Sequence, residues 1–595
     1  MLFALPFAAA LLAQTPSAPA APAVPAVPAV PAVNERVVVT ATAAPASALS
    51  LGRAIATVTR SDIERFAGGS IADALRLVPG VDVRARGERG VQADFVLRGA
   101  NFGQALVLVD GMRLNDAQSG HHNADFPLSP ASIDRIEVVT GAASSSHGAD
   151  AFGGTINIIT RGGRYAEASA AGGSFSAVRA EAAAGWEPLA LSVSAWGSRS
   201  SGFMFDRDFA FGGARAAVAP ARGARLTVSH ARKAFGANGF YGPSPSKEWT
   251  DQTLAGASAG RTAGRWAFDA RAAYRNHGDR FRWDIARPGF AENVHRTNAI
   301  DATARIDRLL GAATRLTLGA AAGGDWIASS NLGDHTQARG AAFAELHVPL
   351  TARLVVQPAV RVDAYSTFGP AVSPSIAVSA RLDDAWRARV STGRAFRVPT
   401  FTERFYTDPN HAAQDALDPE DGWTADAGLD WRQRAWSASA TVFRRWDARV
   451  IDWVRASASE RWRTTNVHDV DTQGLELVLT RALGGGFARV SYALTDSEAP
   501  QLTLLSKYVL DYTKHAVGTQ VALPLPSRFE VSARADRRIR SDRQKYTIVD
   551  ARVSRRMGVV SLFVEGENLL AERYTEISGV EMPGRSAMAG VTVRR

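Results

Sequence analysis

The sequence predicts two structural units, a compact α+β domain followed by a long antiparallel β-barrel in a membrane. After Arg164, short segments alternate apolar with small or polar residues, and Gly, Pro, Asp and Asn separate them. Before Arg164, helix caps and short apolar strands are mixed. Downstream of Leu12 no uninterrupted apolar run reaches the roughly 18 residues of a membrane-spanning helix. A membrane form would therefore have to be a closed barrel.

The amino-acid composition argues against several classes of function. The chain has 595 residues and no cysteine, which excludes disulfides and thiolate metal sites. The formal net charge is +10, and only five of its basic residues are lysines. Because the arginines are scattered and often lie close to an Asp or Glu, the pattern disfavours a nucleic-acid partner. It fits a pore lined by mixed charges, with a bias towards anionic solutes.

The amino-terminal residues predict export. Residues 1–20 begin MLFALPFAAALLA, a run of signal-peptide length that is too short to span a bilayer. The alternative is an ordinary disordered apolar tail. Residues 21–34 repeat Pro-Ala-Val, which favours an extended polyproline linker.

A short β-prone segment follows this linker. It consists of Glu35, Arg36, Val37, Val38, Val39, Thr40, Ala41 and Thr42. Taken alone, it is an isolated edge strand that could add to the exposed sheet edge of another protein.

Residues 50–165 predict the α+β domain. Ser70 and Asp73 resemble a capping box at the start of a helix that Pro79 and Gly80 end. Three apolar runs bounded by Gly or Asp are buried-strand candidates: Ala105–Val109, Ile136–Val139 and Thr155–Ile159.

The phrases of this domain resemble the plug of TonB-dependent outer-membrane receptors. They read IADALRLVPGVDV, DFVLRGA, ALVLVDGMRLND and SIDRIEVVTGAASSSHGADAFGGTINIITR. Later phrases, among them GRAFRVPTFTE, LDPE, GLEL, VEGENLL and MPGR, resemble late barrel strands of the same family. The resemblance implies that residues 166–595 form a 22-stranded barrel around the plug. Such a barrel of strands of about 10 residues would use about half of these residues.

The resemblance also assigns roles. Residues 35–42 would be the TonB box, which offers a strand to TonB in the periplasm. Two plug arginines of the family pair with two acidic residues of the inner barrel wall. The corresponding residues here are Arg98, Arg135, Asp426 and Glu476. Charge-assisted pairs of this kind could lock the plug in place, and ordinary surface ion pairs of little energy are the alternative.

Solute contact is expected at two places. The plug loop from Gln118 to Asp125 contains His121, His122 and Asn123, which by family resemblance face the outside and touch the solute. Plain loop packing is the second interpretation. Adjacent histidines also suggest a metal, but neighbours in an extended chain point opposite ways and no tight carboxylate set accompanies them. The sequence therefore predicts no metal site and no cofactor.

The second place is a turn-rich segment that predicts an extracellular loop with exposed Phe235, Phe240 and Tyr241. These aromatics could bind a flat ligand, lie in the membrane-interface girdle or pack within the loop. Four tryptophans are predicted girdle residues: Trp431, Trp436, Trp446 and Trp453.

The family resemblance implies active transport of cobalamin or a ferric siderophore across the bacterial outer membrane by a monomer, with no chemical reaction. TonB, the solute and outer-membrane lipid are the implied partners. Two alternatives are a signal-transducing receptor, which would need a folded domain before residue 35, and a passive porin, which would lack plug and TonB box.

Overall fold

A computed structural model describes residues 38–39, 46–47, 50–66, 68–141, 143–187, 190–311, 313–467, 469–499 and 502–595. The predicted signal peptide and linker lie outside the described residues. Of the predicted TonB box, Val38–Val39 forms strand β1, which pairs antiparallel with β2, Ala46–Ser47. The other residues of that segment, Glu35, Arg36, Val37, Thr40, Ala41 and Thr42, lie outside the described part.

The plug domain is built on a five-stranded sheet with the order β3-β8-β9-β6-β7, beside the hairpin β4-β5. Its strands are β3 Ile55–Thr59, β4 Val81–Ala85, β5 Ala93–Leu97, β6 Ala105–Val109, β7 Met112–Arg113, β8 Ile133–Thr140 and β9 Gly154–Thr160. Its helices are α1 Arg60–Phe66, α2 Ile71–Ala74 and α3 Ser144–His147. The three predicted buried strands are all present, as β6 and within β8 and β9.

Of the strands that follow the plug, 22 close into an antiparallel barrel, which confirms the predicted fold class. The first strand pairs with the last, so that Glu167 lies opposite Arg594. The barrel strands are β10 Tyr165–Gly173, β11 Val178–Trp186, β12 Leu191–Ser200, β13 Phe209–Val218, β14 Ala224–Gly236, β15 Lys247–Ala263, β16 Trp266–Arg282, β17 Glu292–Leu310, β18 Thr314–Ser329, β19 His335–Pro349, β20 Leu354–Tyr365, β21 Ala371–Arg381, β22 Trp386–Arg397, β24 Glu420–Gln433, β25 Trp436–Ala448, β28 Val470–Leu483, β29 Gly486–Glu498, β31 Thr513–Leu525, β32 Phe529–Arg540, β33 Lys545–Met557, β34 Val560–Glu567 and β35 Ser586–Arg594.

Connection lengths distinguish the two barrel ends. Long connections such as 398–419 and 568–585 lie at one end, and two-residue turns such as 264–265 and 434–435 lie at the other. Outer-membrane barrels have short periplasmic turns and longer extracellular loops. The end with the long connections is therefore the outer end.

A small sheet covers part of the outer end. Four short strands form it in the order β23-β27-β26-β30. They are β23 His411–Ala412, β26 Ile451–Arg455, β27 Trp462–Asn466 and β30 Leu505–Ser506. The helix α4, Phe401–Phe405, precedes it and begins with a capping box between Thr400 and Glu403. These outer loops therefore form a small regular sheet over part of the barrel opening.

Side chains alternate between lipid and lumen along each barrel strand. On β16, Phe268 and Tyr274 are exposed on the outer face, whereas Arg275 and His277 are buried on the inner face. The predicted girdle residues Trp436 and Trp446 are likewise exposed, and Trp431 packs against Trp386. Trp453 departs from the prediction because it is buried in the outer sheet, between the rings of Tyr406 and His411.

Within the described part of the chain, no helix has both the length and the apolar character required to cross a bilayer.

A mixed interface seats the plug in the lumen. The plug core extends to a few wall residues, where Phe66 meets Phe487 edge-on at 6.1 Å and Leu254 joins the same apolar cluster. Elsewhere the plug and the barrel are joined by ion pairs, including Arg76 with Glu576 of the outer connection 568–585 and Asp82 with Arg538 of the wall. Polar groups therefore make up much of the interface that fills the barrel.

The two faces of β18 allow a direct test of membrane placement. Ala322 is exposed on the outer face midway between Leu318 and Trp326, and its neighbour Ala321 lies on the inner face together with the buried Thr317 and Asp325. We expect Ala322→Arg to lower the free energy of unfolding in lipid vesicles by about 2–4 kcal/mol, because the charge would lie near the midplane of the bilayer.

The matched control is Ala321→Arg, the same substitution on the lumen face, where water and carboxylates can solvate the charge. Folding would be measured by urea titration and by the gel mobility of unheated samples. Equal losses for the two variants would contradict the assignment of the outer face to lipid.

Candidate functional site

Arg98 joins the plug to the barrel wall. It follows β5 directly, is 3% exposed and has the positive φ of 52°, which is uncommon for a residue with a side chain. Its Nε donates to Glu476 Oε1 at 2.8 Å and its Nη2 to Glu476 Oε2 at 2.7 Å, a bidentate contact. Its Nη1 donates to Asp426 Oδ1. One arginine thus engages both predicted wall carboxylates.

Two plug glycines make room for these carboxylates. Gly80 has φ of 76°, and a Cβ there would lie 2.0 Å from Glu476 Oε1. Gly141 has φ of 90°, and a Cβ there would lie 2.6 Å from Asp426 Oδ2. Both turns therefore need glycine for conformation and for space. The backbone N–H of Arg98 also donates to the carbonyl of Gly80 at 2.8 Å, so the first turn supports the arginine directly.

The prediction that Arg135 shares this contact is wrong. Arg135 forms ion pairs with Asp134 at 2.9 Å and with Glu137 at 2.8 Å, both on its own strand β8. Asp426 lies instead beside Gly141, which comes just after the end of β8. Six residues of extended strand place Arg135 roughly 20 Å from that end, and Arg98 already occupies both wall carboxylates.

Three aromatic rings meet at the outer apex of the plug. His121 stacks on Phe102 with ring centroids 4.2 Å apart, and Tyr508 of the outer loops meets Phe102 edge-on at 5.2 Å. All three side chains are partly exposed. We call Phe102, His121 and Tyr508 the apical aromatic cluster. Lys507 lies over the Tyr508 ring at 5.3 Å and adds a positive charge beside it.

Hydrogen bonds connect His121 to the plug interior. Its Nδ1 lies 2.8 Å from Asp94 Oδ1, and Asp94 also pairs with Arg86 at 2.9 Å. Burial lowers the pKa of His121, and the opposing charge of Asp94 does not restore it. For Asp94, burial disfavours ionisation, but Arg86 and His121 outweigh it and hold the carboxyl pKa well below its usual value. Asp94 is therefore a charged anchor beneath a neutral ring.

His122 and Asn123 do not face the outside as the sequence predicted. A 3-10 turn, Gly120–His122, capped by Ser119, directs His122 inward. His122 is 5% exposed and Asn123 is 3% exposed. Asn123 Oδ1 accepts a hydrogen bond from the backbone N–H of Asp116 at 3.0 Å, which stabilises the loop. Loop packing, the second interpretation, describes these two residues better.

The aromatic segment after β14 is also less exposed than predicted. Phe235 belongs to β14 itself, and Phe235 and Phe240 are 2% and 6% exposed in an apolar cluster with Val91 of the plug. Tyr241 is 40% exposed, and its hydroxyl lies 3.0 Å from Gln92 Oε1 and 3.2 Å from Glu248 Oε2, so its single proton is donated to one of the two at a time. Of the three placements considered, packing within the loop holds for the two phenylalanines, because the plug surface lies directly beneath them.

A buried group of imidazoles and carboxylates surrounds His122. The ring of His122 lies between Asp279 at 3.5 Å from Nε2 and Asp125 at 3.7 Å from Nδ1. His277 lies 4.5 Å from it, ring to ring, and Glu248 completes the group. Burial disfavours the imidazolium, but Asp125 and Asp279 outweigh it and raise the pKa of His122 well above its usual value. The sequence showed His122 and Asp125 only, because the others come from barrel strands β15 and β16.

Family models match both parts of the chain. A model described as TonB dependent receptor-like, beta-barrel, matches residues 199–569, more than half of the chain. A model of the TonB-dependent receptor plug domain matches residues 47–155.

Similarity extends to individual proteins. The chain is 25% identical over 555 residues to the vitamin B12 transporter of Photobacterium profundum, covering 88% of this chain and 89% of that protein. It is 35% identical over 136 residues to the vitamin B12 transporter of Vibrio vulnificus, covering 23% of this chain and 22% of that protein.

Solved structures share the fold. The siderophore receptor PirA of Acinetobacter baumannii has a TM-score of 0.73 at 15% identity, covering 91% of this chain and 98% of that chain. A mutant ferric enterobactin receptor of Pseudomonas aeruginosa, in complex with enterobactin, has a TM-score of 0.74 at 14% identity, covering 91% of this chain and 99% of that chain.

Truncation of Arg98 should loosen the plug. Arg98→Ala would leave Asp426 and Glu476 buried without their shared cation, which we expect to cost about 3–5 kcal/mol. The measurement is the rate of trypsin cleavage within the plug of the detergent-solubilised protein, together with thermal unfolding.

Arg444→Ala is the control, because it removes an arginine whose ion pair with Asp471 is exposed, with side-chain exposures of 52% and 46%. We expect a much smaller effect there. A double-mutant cycle between Arg98→Ala and Glu476→Gln would isolate the coupling of the pair. A coupling near zero would show that Arg98 does not lock the plug.

Proposed function

The chain belongs to the TonB-dependent receptor family, and from this membership we propose that it imports cobalamin across the outer membrane at the expense of energy delivered by TonB. It is an outer-membrane protein and a receptor of the cobalamin or siderophore type. Its family consists of transporters and receptors and not of enzymes.

The match to a vitamin B12 transporter over 555 residues carries the choice of solute. It covers nearly the whole of both chains, plug and barrel together. The outer loops and the plug apex are where such a solute would first be held. The apical aromatic cluster offers ring faces of the kind that pack against a large planar ligand.

Ferric siderophores are the second candidate solutes. The observation in their favour is charge: Lys507 lies beside the apical aromatic cluster, and the chain as a whole is basic. Cationic side chains with aromatic neighbours suit an anionic metal chelate. The siderophore receptors of similar structure support the fold alone at their level of identity.

A short path connects the apex to the plug–wall contact. His121 contacts Asp94, Asp94 lies on β5, and β5 leads directly into Arg98. Solute that displaces the His121 ring would load this strand and weaken the bonds of Arg98 to Asp426 and Glu476. Because Arg98, Asp426 and Glu476 are buried, the contact would be weakened only if this movement let water reach the charged groups.

Energy coupling would use residues 35–42. A β-prone segment ahead of the plug can add as a strand to an exposed sheet edge of TonB. Tension on that strand would act on the plug and open a route along the wall. A passive porin is disfavoured by the plug, whose ion pairs and apolar contacts with the wall fill the lumen.

Growth of a deletion strain carrying plasmid copies tests the solute and the coupling together. We expect rescue on limiting cobalamin and no rescue on limiting iron, because the full-length similarity is to a cobalamin transporter. Deletion of residues 35–42 should abolish rescue while solute binding to the purified protein is kept.

Deletion of residues 22–29 is the control of equal length, since it shortens only the Pro-Ala-Val repeats. Rescue on limiting iron alone would contradict cobalamin as the solute and favour a ferric siderophore. Rescue by the protein lacking residues 35–42 would overturn the coupling proposal.

The apical aromatic cluster can be tested by ring removal. Tyr508→Ala should weaken cobalamin binding by about two- to twelvefold, since one aromatic contact contributes about 0.5–1.5 kcal/mol. Binding would be measured by isothermal titration in detergent. The control Tyr492→Ala removes a tyrosine of β29 that lies away from the apex and stacks on His515 of β31. Equal affinities of the two variants would place the solute elsewhere.

A further inference from the structure

We propose that His122, Glu248 and Asp279 form a binding site for one divalent transition-metal ion where the plug meets the barrel wall. His122 comes from the 3-10 turn at the plug apex, Glu248 from β15 and Asp279 from β16. Both wall residues lie near the outer ends of their strands. This site is separate from Arg98 and does not depend on which solute is carried.

The three side chains converge on one point. One ligand atom from each lies within 4.8 Å of the others, and His122 Nε2 is 3.5 Å from Asp279 Oδ2. Ligands about 2.0–2.1 Å from a tetrahedral zinc lie about 3.3 Å from one another. The separation of 3.5 Å between His122 and Asp279 is close to that value, and the separations that involve Glu248 are within 4.8 Å. Glu248 and Asp279 are 2% and 7% exposed, so the point is shielded from bulk water.

Each carboxylate has one hydrogen-bonded oxygen and one oxygen without a partner, and in Asp279 the hydrogen-bonded Oδ2 is also the oxygen that faces His122 Nε2. Tyr241 donates to Glu248 Oε2 at 3.2 Å, and Gln118 donates to Asp279 Oδ2 at 2.9 Å. The second oxygens, Glu248 Oε1 and Asp279 Oδ1, are buried and have no hydrogen-bond partner among the described residues. Buried polar atoms are normally satisfied. Metal-binding carboxylates are commonly oriented in this way by a second layer of hydrogen bonds.

Charge distinguishes these two carboxylates from their neighbours. Asp116 pairs with Arg275, and Asp125 pairs with Lys233 at 2.8 Å. In the described part of the chain, neither Glu248 nor Asp279 has an ion pair with a lysine or arginine. The basic group beside them is the imidazole of His122, whose Nε2 lies 3.5 Å from Asp279 Oδ2. A metal ion would take the place of the proton on that imidazole and compensate both carboxylates, since metal binding releases protons from its ligands.

His122 indicates the class of metal. Its Nε2 faces Asp279, while its Nδ1 faces the Asp125 carboxylate at 3.7 Å. The order of groups is that of a metal-bound imidazole with a carboxylate behind its second nitrogen, although at 3.7 Å Nδ1 makes no hydrogen bond to Asp125 in this structure. One imidazole with two carboxylates suits zinc, cobalt or a similar ion, whereas calcium and magnesium prefer oxygen ligands alone.

The ligands come from both domains, so the ion would tie the plug apex to the wall. Binding would require a seated plug, and a loaded site would in turn favour the seated plug. Asp125 is a positioning residue in this scheme. It would act on the metal only through His122.

Cobalt titration of the purified, untagged full-length protein in detergent tests the proposal. After treatment with a chelator, we expect one equivalent of Co²⁺ to bind with visible d–d absorption and to be displaced by Zn²⁺. His122→Ala and Glu248→Gln should abolish this band. Asp125→Asn should weaken binding about ten- to hundredfold, as expected for the orienting carboxylate of a metal-bound histidine.

His121→Ala is the matched control, because the adjacent imidazole stacks on Phe102 outside the group and should leave the cobalt band unchanged. Gel mobility of unheated samples would verify that each variant folds. The proposal is overturned if folded protein shows no saturable Co²⁺ binding, or if His122→Ala and Glu248→Gln retain the band. It is also overturned if His121→Ala loses the band.

Discussion

A barrel of 22 strands is too wide to be filled by its own side chains, and the plug must fill it without becoming a permanent part of the core. The structure meets this constraint with arginine–carboxylate pairs at the plug–wall interface. Arg98, Arg76 and Arg89 each reach a carboxylate of the barrel. Such pairs are specific in geometry, and water can replace either partner when the interface opens. The arginine-rich composition is therefore explained by the interior of the barrel.

The same constraint accounts for how apex and lock are arranged. The partly exposed aromatic cluster and the buried Arg98 lie at the two ends of β5, connected through Asp94. A rigid strand can transmit a displacement that a loop would absorb. The residues between them, Phe95, Val96 and Leu97, are apolar and buried. Because the protein interior around them is closely packed, a movement at one end of the strand would be passed to the other end. A contact at the surface can thus affect an ion pair in the interior.

The sequence predicted what depends on local pattern and on family phrases. Strand alternation identified the barrel, and the apolar runs identified β6, β8 and β9. Arg98 was found together with Asp426 and Glu476. Arg135 was assigned to this contact because the phrase around it resembles that of the family. It lies near the start of β8, far from Asp426, and pairs with Glu137 of the same strand. Phe235 and Phe240 were predicted to be exposed because turn-forming neighbours suggest a loop, whereas the plug surface beneath them is visible only in three dimensions.

The group around His122 could not be assembled from the sequence, since its carboxylates Glu248 and Asp279 are supplied by two barrel strands far along the chain. Two plug glycines lie beside the contact of Arg98 with the wall carboxylates. Gly80 and Gly141 leave the space that Glu476 and Asp426 occupy, so wall and plug are complementary at two points where the plug has no side chain. Chimaeras that combine this barrel with the plug of a relative would dock only where the donor also carries glycine at both turns. The fit between the two domains thus depends on the absence of a side chain in the plug as well as on the carboxylates of the wall.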